Sequence, residues 1–461
     1  MPKHIHFIGI GGIGMSALAE VAISRGNIVT GSDLRPNDLT DKLRAKGAVV
    51  FCGHSADNIP PDVDLAVRST CIPAANEELV KAEELGIKVI HRSEMLADVM
   101  KDASVSIAVT GTHGKTTTSA LIAHIMDYCD RDPTVIIGGE ISRFGGNAKN
   151  GSRDLVVAEV DESDGLFRGM SVKCVVLTNI EREHMEHHGT MENLLASYVE
   201  FAGRIPSDGL IVYNGEDVVA RNVAENSTAI RVDFGAMENG CFRYSYADLS
   251  CARSIRFDLL REGERLGKVE CGIVGRYNAM NILGAMALCL ERGIGFKEAA
   301  EAVSTFDGVR RRFDFVERIG NIDVVEDYAH HPTELRAVIK AAGEYSGEGR
   351  VVAIFQPHRY SRTHDLAEDF AHSFYDADVL ILTDIYSADE KPFVGRGVRD
   401  ILKAIDRSKF QLVDFVEKDR IPGYVSGIAR ERDMVLILGA GDIRDIARPL
   451  SNAIRKQAVR S

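Results

Sequence analysis

The 461-residue sequence has no tryptophan and few aromatic residues, and none of its eight cysteines forms a C-x-x-C pair. Unpaired cysteines argue against a zinc ribbon or a redox dithiol and are typical of a reducing compartment. No apolar run reaches the roughly 20 residues that a membrane-spanning helix needs. The short apolar stretch after Lys3 is broken by glycines, unlike a signal peptide. We therefore expect a cytoplasmic protein with no membrane insertion.

The sequence also has fewer basic than acidic residues. It contains 55 Lys and Arg and 68 Asp and Glu, which gives a formal net charge of -13. This balance argues against general nucleic-acid binding, although a locally positive pocket can still bind a small anion. A hydrophobic content of 45% with 27% charged residues is typical of a globular protein. The length predicts two to four domains.

Alternating strands and helices divide the chain into three α/β blocks, and we predict domains at residues 1–98, 99–312 and 313–461. Fully apolar strands, such as 154–160 and 174–179, are typical of parallel sheets buried on both faces. Residues 228–275 alternate polar and apolar instead, which favours antiparallel hairpins at the edge of the central domain. In such folds ligands bind at the carboxyl ends of the strands.

A first glycine motif follows the first predicted strand. Gly9-Ile-Gly11-Gly12-Ile13-Gly14 matches G-x-G-x-x-G, and Asp33 ends the next predicted strand. Taken alone, this indicates a dinucleotide site with Asp33 on a ribose hydroxyl. The physical basis is less specific, because glycines and a helix N-terminus favour any diphosphate. A tight turn without a ligand is the alternative.

A second glycine motif, Thr110-Gly-Thr-His-Gly-Lys-Thr-Thr-Thr118, resembles a P-loop, although Val109 occupies its usual first glycine position. Backbone N–H groups would bind phosphates, Lys115 would reach the β and γ phosphates, and Thr116 would contact Mg²⁺. The alternative is a threonine-rich helix N-cap, which the lysine inside it makes a poorer explanation.

Two polar segments follow the next predicted strands. The acidic run 159–164 suits Mg²⁺, although a solvated acidic loop has the same composition. The segment 178–189 contains His184, His187 and His188. Without H-E-x-x-H or a nearby cysteine at ligand spacing, zinc is disfavoured. We expect one imidazole near the phosphates and His187 and His188 at the surface.

Together these motifs resemble the Mur ligase family over essentially the whole chain. The matching segments are HFIGIGG at 6–12, GMS at 14–16, GSD at 31–33, GTHGKTTT at 111–118, EVDESD at 159–164, NI at 179–180, HM at 184–185, NAMN at 278–281, RRFD at 311–314, DYAHHPTE at 327–334, FQPHRYSRT at 355–363, DIYSA at 384–388 and GAGD at 439–442. Tyr277 departs from the family pattern, which usually has His there.

The resemblance implies a three-domain α/β fold: a Rossmann-like N-terminal domain for a UDP-sugar, a central P-loop-type ATPase domain with a mainly parallel sheet, and a Rossmann-like C-terminal domain. It further implies ATP-dependent ligation of L-alanine to the lactyl carboxylate of UDP-N-acetylmuramate through an acyl phosphate, in peptidoglycan precursor synthesis, with Mg²⁺ as cofactor. The first glycine loop would then bind the UDP diphosphate rather than NAD.

The resemblance also implies residue roles. The catalytic residues would be Lys115, His184 and Arg312, and the metal ligands Thr116, Glu159 and His184. ATP would contact Gly111, Thr112, His113, Gly114, Lys115, Thr116, Thr117, Asn278, Asn281, Arg312 and Asp327. The UDP-sugar would contact Gly11, Gly12, Gly14, Met15, Ser16 and Asp33. The amino acid would contact Tyr328, His358 and Arg362.

Three other functions are consistent with parts of the sequence. A related ligase adds a whole tripeptide to the same UDP-sugar, although the 355–360 segment favours a single amino acid. An NAD-dependent oxidoreductase would explain the first glycine loop and would leave Lys115 without a role. A nucleotide-switched regulator would hydrolyse ATP slowly whether or not the sugar nucleotide is present.

Overall fold

The computed structural model describes residues 2–163, 165–236, 240–245, 254–388, 390–392 and 397–458. The chain has the predicted three-domain α/β architecture, with one mainly parallel sheet in each domain. It forms two compact units: one holds the N-terminal domain and most of the central domain, and the other holds the C-terminal domain with Glu270–Ala279. Among the described residues, no helix combines the length and apolar character needed to cross a bilayer. The exact domain boundaries stay a prediction.

The N-terminal domain is a five-stranded parallel sheet in the order β3-β2-β1-β4-β5. The order reverses at β1, so the glycine loop after β1 lies where such sheets bind ligands. The sequence did not predict β3, whose residues are half-buried or exposed. The strands are β1 His4–Ile8, β2 Ile28–Asp33, β3 Val49–Cys52, β4 Leu65–Arg68 and β5 Lys88–His91, and the helices are α1 Ile13–Ser24, α2 Asp38–Ala45, α3 Glu77–Glu84 and α4 Arg92–Lys101.

The central sheet has ten strands in the order β15-β14-β13-β12-β11-β10-β6-β9-β7-β8. Its middle strands β6, β9 and β10 are parallel, as their apolar sequences predicted. β6 and β10 are largely buried, and β9 is buried at residues 156–158. The strands are β6 Val105–Thr110, β7 Pro133–Ile141, β8 Gly146–Lys149, β9 Ser152–Glu159, β10 Cys174–Leu177, β11 Leu210–Asn214, β12 Ile230–Gly235, β13 Phe242–Ser245, β14 Ile255–Arg261 and β15 Glu264–Cys271. The helices are α5 Lys115–Tyr128, α6 Met185–His188, α7 Met191–Gly203, α8 Val218–Glu225, α9 Tyr277–Glu291 and α10 Phe296–Ser304.

The hairpin prediction for residues 228–275 was partly wrong. β13 and β14 are antiparallel, as expected, but β12 pairs in parallel with both β11 and β13. β12 follows α8, so it returns to the sheet through a helical crossover, which produces a parallel strand. Residues 237–239 and 246–253 of this segment lie outside the described part of the chain.

The C-terminal domain is a six-stranded sheet in the order β16-β17-β21-β18-β19-β20. Its pairs are parallel except β16 with β17, an edge hairpin that the sequence did not predict. The strands are β16 Asp314–Ile319, β17 Ile322–Asp327, β18 Val351–Phe355, β19 Val379–Leu382, β20 Leu412–Phe415 and β21 Met434–Leu438. The helices are α11 Pro332–Ser346, α12 Tyr360–Asp365, α13 Ala367–Ser373, α14 Val398–Ala404, α15 Ile421–Ile428 and α16 Ala447–Ala458.

Candidate active site

The loop between β6 and α5 has the backbone shape of a phosphate-binding loop. Gly111 and Gly114 have φ angles of +127° and +82°, which side-chain-bearing residues rarely adopt. Asn179, at the end of β10, fixes the loop: its carbonyl accepts from Thr112 N at 2.8 Å, its side-chain oxygen accepts from His113 N at 2.9 Å, and its side-chain nitrogen donates to His113 O at 3.0 Å. No side chain caps α5, whose N-cap is Gly114. The positive end of this helix therefore lies at the loop and favours an anion there.

Lys115 is the first residue of α5 and bends back over the loop. Its ammonium donates to the carbonyl oxygens of Gly111 at 2.5 Å and Thr112 at 3.0 Å, and to both oxygens of Glu162, at 2.9 and 3.1 Å. Burial alone would lower the pKa of Lys115, but Glu162 and the neighbouring carboxylates raise it. Lys115 is therefore a fixed positive charge at the place where the loop would hold phosphates.

Acidic side chains and one histidine gather beside Lys115. Ligand atoms of Asp161, Glu162 and His184 all lie within 4.8 Å of one another. Thr116 donates its hydroxyl to Glu159 at 3.1 Å, and Glu159 also accepts from Gly138 N at 2.7 Å.

Of the predicted metal ligands, Thr116 contacts Glu159, and His184 lies with Asp161 and Glu162, which were not predicted as ligands. Carboxylate and hydroxyl oxygens close to one imidazole suit a hard divalent cation, so these residues fit Mg²⁺. Asp164, the last acidic residue of the predicted run, lies outside the described residues.

The electrostatics of the acidic residues differ sharply. Burial and the adjacent Asp161 raise the pKa of Glu162, against the effect of Lys115. Burial would also raise the pKa of Asp161, but Arg92, Lys115 and His184 hold it well below its ordinary value. Arg92 is the first residue of α4, and its Nη2 donates to Asp161 Oδ2 at 2.9 Å. Asp161 is therefore ionised at neutral pH.

The histidine cluster agrees with its prediction in part. His184 has a φ of +56°, a strained conformation for a residue with a side chain, and it precedes α6. His187 is exposed, as predicted. The prediction for His188 was wrong, because this residue is buried and its Nε2 lies 2.9 Å from Glu162 O. His188 is the last residue of the short helix α6, which places its ring against the acidic loop that contains Glu162.

The other predicted nucleotide residues divide between the loop and its surroundings. The side-chain oxygen of Asn281 accepts from the Thr118 hydroxyl at 3.3 Å, and Asn281 also lies so close to Gly114 that a β-carbon there would collide with it. Asn278 instead donates to Val274 O at 2.7 Å. Thr117 is buried in the first turn of α5. Asn281 therefore packs against the phosphate-binding loop and the first turn of α5.

The first glycine loop is held from both sides. Asp33 accepts from Gly11 N at 2.9 Å, and Asn37 donates to Gly11 O at 3.1 Å. α1 begins after Gly12 without a side-chain cap, whereas side chains cap the N-termini of α2, α3 and α4. Uncapped N–H groups behind a glycine turn suit a diphosphate.

Two predicted UDP-sugar residues on α1 are buried. Met15 is buried in the apolar core, and Ser16 is buried with its hydroxyl donating to Ile13 O at 3.0 Å. Asn147, on β8 of the central domain, also donates to Ile13 O, at 2.5 Å. The central domain therefore helps to fix the start of α1.

In the C-terminal domain, Asp327 organises the segment that carries Arg312. Its carboxylate accepts from Phe313 N and Ala329 N, both at 2.7 Å. Burial raises the pKa of Asp327 to about 6, although Arg312 acts in the opposite direction. The guanidinium of Arg312 lies 5.2 Å from the centre of the Tyr328 ring. Asp327 thus fixes the backbone next to Arg312, and the Tyr328 ring contacts the Arg312 guanidinium.

The predicted amino-acid residues lie along a row of rings at the ends of β17 and β18. The centre of the His330 ring lies 5.3 Å from that of Tyr328 and 5.8 Å from that of His358. The His358 ring stacks on Tyr386 with 5.5 Å between the ring centres. Burial lowers the pKa of His358 to about 3, so this imidazole is neutral. The charge of Arg362, on α12, also lowers the pKa of His358. Its guanidinium is a cation suited to binding a carboxylate.

The sequence interpretation did not single out several residues of this geometry. Arg92, Asn147, His330 and Tyr386 were not predicted, and Asp161 and Glu162 were noted only within the acidic run. Arg92 follows β5 directly, and this position after a strand was the available signal. Asn147 gave no local signal, because its partner lies 134 residues away.

Comparison with known proteins identifies the class to which this fold and site belong. Three family models match in order: the Mur ligase family catalytic domain at residues 4–104, the Mur ligase middle domain at 109–289, and the Mur ligase glutamate ligase domain at 311–441. The chain belongs to the Mur ligase family, and the resemblance noted in the sequence is confirmed.

Similar proteins narrow the comparison further. The UDP-N-acetylmuramate–L-alanine ligase of Pelotomaculum thermopropionicum is 41% identical, over 96% of this chain and 95% of that protein. The enzyme of that name from Geobacter sulfurreducens is 40% identical, over 96% and 95%. The crystal structure of the UDP-N-acetylmuramate-alanine ligase of Thermotoga maritima matches with a TM-score of 0.82 and 30% identity, covering 99% of both chains.

Proposed function

We propose that this protein is an ATP-dependent ligase that joins L-alanine to the lactyl carboxylate of UDP-N-acetylmuramate, a step of peptidoglycan precursor synthesis. The observation that carries the proposal is the match, at about 40% identity over nearly the full length, to ligases named for this reaction. The geometry adds independent support, because Lys115 lies on an uncapped glycine loop beside a cluster that fits a divalent cation.

The reaction would proceed in two steps. A carboxylate oxygen of UDP-N-acetylmuramate attacks the γ-phosphorus of ATP, the bond to the β-phosphate oxygen breaks, and ADP leaves an acyl phosphate behind. The neutral amine of L-alanine then attacks the acyl carbon, phosphate leaves, and the nitrogen loses a proton. Phosphoryl transfer depends mainly on positioning and charge neutralisation, and the fixed ammonium of Lys115 would supply both.

The acidic cluster has a separate task. Thr116 with Glu159, and His184 with Asp161, would hold Mg²⁺, which neutralises phosphate charge when bound. Glu162 is engaged with Lys115 and would orient that ammonium.

In the C-terminal domain, Arg362 would bind the carboxylate of the amino acid, since its planar guanidinium matches a carboxylate. The neutral His358 and Tyr328 would line a pocket for a small side chain, and Arg312 would contact ATP. These roles rest on the family resemblance together with the ring contacts around His358.

The decisive experiment is phosphate release by the purified protein with ATP, Mg²⁺ and UDP-N-acetylmuramate, across a panel that contains L-alanine, glycine, L-serine and the tripeptide. We expect release that requires the sugar nucleotide and is fastest with L-alanine. Faster release with the tripeptide would indicate the peptide-recycling ligase, and slow release indifferent to the sugar nucleotide would indicate a regulator. No ATP consumption, together with binding of NAD, would favour the oxidoreductase.

A further inference from the structure

Two fully buried hydroxyl groups lie next to the start of the phosphate-binding loop. Thr110 is the last residue of β6 and directly precedes Gly111. Its side chain is on the same face of the central sheet as Ala108, because residues two apart in a strand share a face. Ala108 packs in one apolar core with Tyr198, a residue of α7. The side chains of Thr110 and Tyr198 therefore enter the same layer of the domain.

The apolar surroundings of the Tyr198 ring would suit a phenylalanine. The centre of the Phe167 ring lies 4.9 Å from that of Tyr198 and 5.5 Å from that of Phe201. A phenylalanine at position 198 would fill this space as well, without the cost of taking a hydroxyl group out of water. The packing of the ring therefore does not explain why the residue carries a hydroxyl.

The Tyr198 hydroxyl faces the phosphate-binding loop. Burial and the charge of Glu162 raise the pKa of Tyr198 well above its ordinary value, whereas the neighbouring Thr110 hydroxyl and Gly111 N–H act in the opposite direction. The hydroxyls of Tyr198 and Thr110 nevertheless miss hydrogen-bond geometry, and neither has another partner among the described residues. Because buried polar groups are nearly always paired, two unpaired hydroxyls side by side indicate a second arrangement of the loop in which they pair.

Lys115 provides a reason for such a rearrangement. A lysine ammonium has three N–H donors, and that of Lys115 already serves four acceptor oxygens, those of Gly111, Thr112 and the Glu162 carboxylate. A phosphate oxygen can therefore bind this ammonium only if one of these acceptors is given up. Release of the Gly111 carbonyl would free the first peptide of the loop to shift.

We propose that Tyr198 is a positioning residue for the phosphate-binding loop, and that its hydroxyl pairs with the Thr110 hydroxyl once phosphates engage Lys115. This hydrogen bond then fixes the start of the loop in place of the released Lys115 contact. Because the bond forms only in the nucleotide-bound arrangement, it strengthens nucleotide binding and leaves the stability of the free chain unchanged. The assignment rests on the proposed function, because its ligand is the triphosphate of ATP.

The experiment compares Tyr198→Phe with the wild-type full chain. Calorimetric titration with Mg²⁺ and the non-hydrolysable ATP analogue AMP-PNP should show about a threefold to tenfold rise in Kd, the loss of one net hydrogen bond. Urea unfolding without nucleotide should show an unchanged or higher midpoint, because the variant no longer buries an unpaired hydroxyl. In the ligation assay, the KM for ATP should rise and the KM for L-alanine should not.

A second variant tests whether the two hydroxyls act on each other. Thr110→Val should raise the Kd for AMP-PNP by about the same factor as Tyr198→Phe. The double variant should bind no more weakly than either single variant, because all three lose the same hydrogen bond. Tyr128→Phe is the matched control and should leave Kd unchanged, because Tyr128 is a half-buried tyrosine at the opposite end of α5 from the loop.

Three results would overturn the assignment. The first is an unchanged Kd for AMP-PNP in Tyr198→Phe. The second is a lower unfolding midpoint in Tyr198→Phe with no change in Kd, which would show that the hydroxyl only stabilises the fold. The third is a double variant in which the two increases in Kd multiply, which would show that the hydroxyls do not pair. Failure of the wild-type chain to bind AMP-PNP would refute the proposed function as well, and it is seen before any variant is tested.

Discussion

Replacing Lys115 with alanine tests the charge arrangement on which the proposed catalysis depends. The Lys115 ammonium neutralises Glu162, whose side chain is 1% exposed. Breaking such a pair leaves a buried carboxylate, a change that typically costs about 3 to 5 kcal/mol. Because 12% of the Lys115 side chain is exposed, we expect the lower end of this range, about 3 kcal/mol near pH 7.5. ATP-dependent activity should be lost altogether.

The loss of stability should depend on pH. In Lys115→Ala the pKa of Glu162 rises further, so between its ordinary value of 4.5 and the raised value the native state holds a proton that the unfolded chain has released. Stability therefore falls as pH rises through this window. At pH 5.5, protonating the Glu162 carboxyl costs about 1.4 kcal/mol, because this pH is one unit above its ordinary pKa. At that pH, the destabilisation caused by the unpaired Glu162 carboxylate cannot exceed this cost.

The assay is urea unfolding followed by circular dichroism, since the chain has no tryptophan, with hydrogen exchange of the α5 amides to localise the change. Lys173→Ala is the matched control, because Lys173 pairs with Asp208 at the surface, where such pairs contribute at most about 1 kcal/mol. Adding Glu162→Gln to Lys115→Ala should restore stability but not activity. The reasoning is refuted if Lys115→Ala at pH 7.5 loses no more stability than Lys173→Ala.

Three further predictions follow from single positions. Gly114→Ala should lower thermal stability clearly more than Gly26→Ala, because both glycines have φ above +80° but only at Gly114 would a β-carbon meet a neighbour, the Asn281 side chain; equal losses would contradict the packing argument. Arg362→Ala should raise the KM for L-alanine more than the KM for ATP in the ligation assay, and equal increases would argue against its carboxylate role. Burial raises the pKa of Asp327 to about 6, so the native state retains a proton above the ordinary value of 3.8 and this group's contribution to stability falls as pH rises from about 4 to about 6. Asp327→Asn should remove that fall in urea unfolding, and an unchanged pH profile would show that Asp327 titrates normally.

Local sequence determined many of the buried strands, the glycine loops and much of the chemistry. The sequence predicts strands at residues 4–8, 105–110 and 434–438 and a helix from about Lys115, and β1, β6, β21 and α5 are found there. An apolar run followed by glycines and a helix start is a short-range signal. Edge strands such as β3 and β16 were missed. β16 has the mixed sequence DFVERI, whereas β3 (VVFC) is apolar but only four residues long. The two glycine loops were likewise predicted from local sequence, without any long-range information.

Tertiary structure decided which charges meet. Arg92 and Asp161 are 69 residues apart, Asn147 and Ile13 are 134 apart, and neither pair gives a local pattern. The burial of His188 and the pairing of Lys115 with Glu162 also depend on how loops after separate strands fold over one another. A sequence pattern reports what each segment prefers by itself, whereas the partner of a buried charge is fixed only when packing excludes water and leaves one counter-charge within reach.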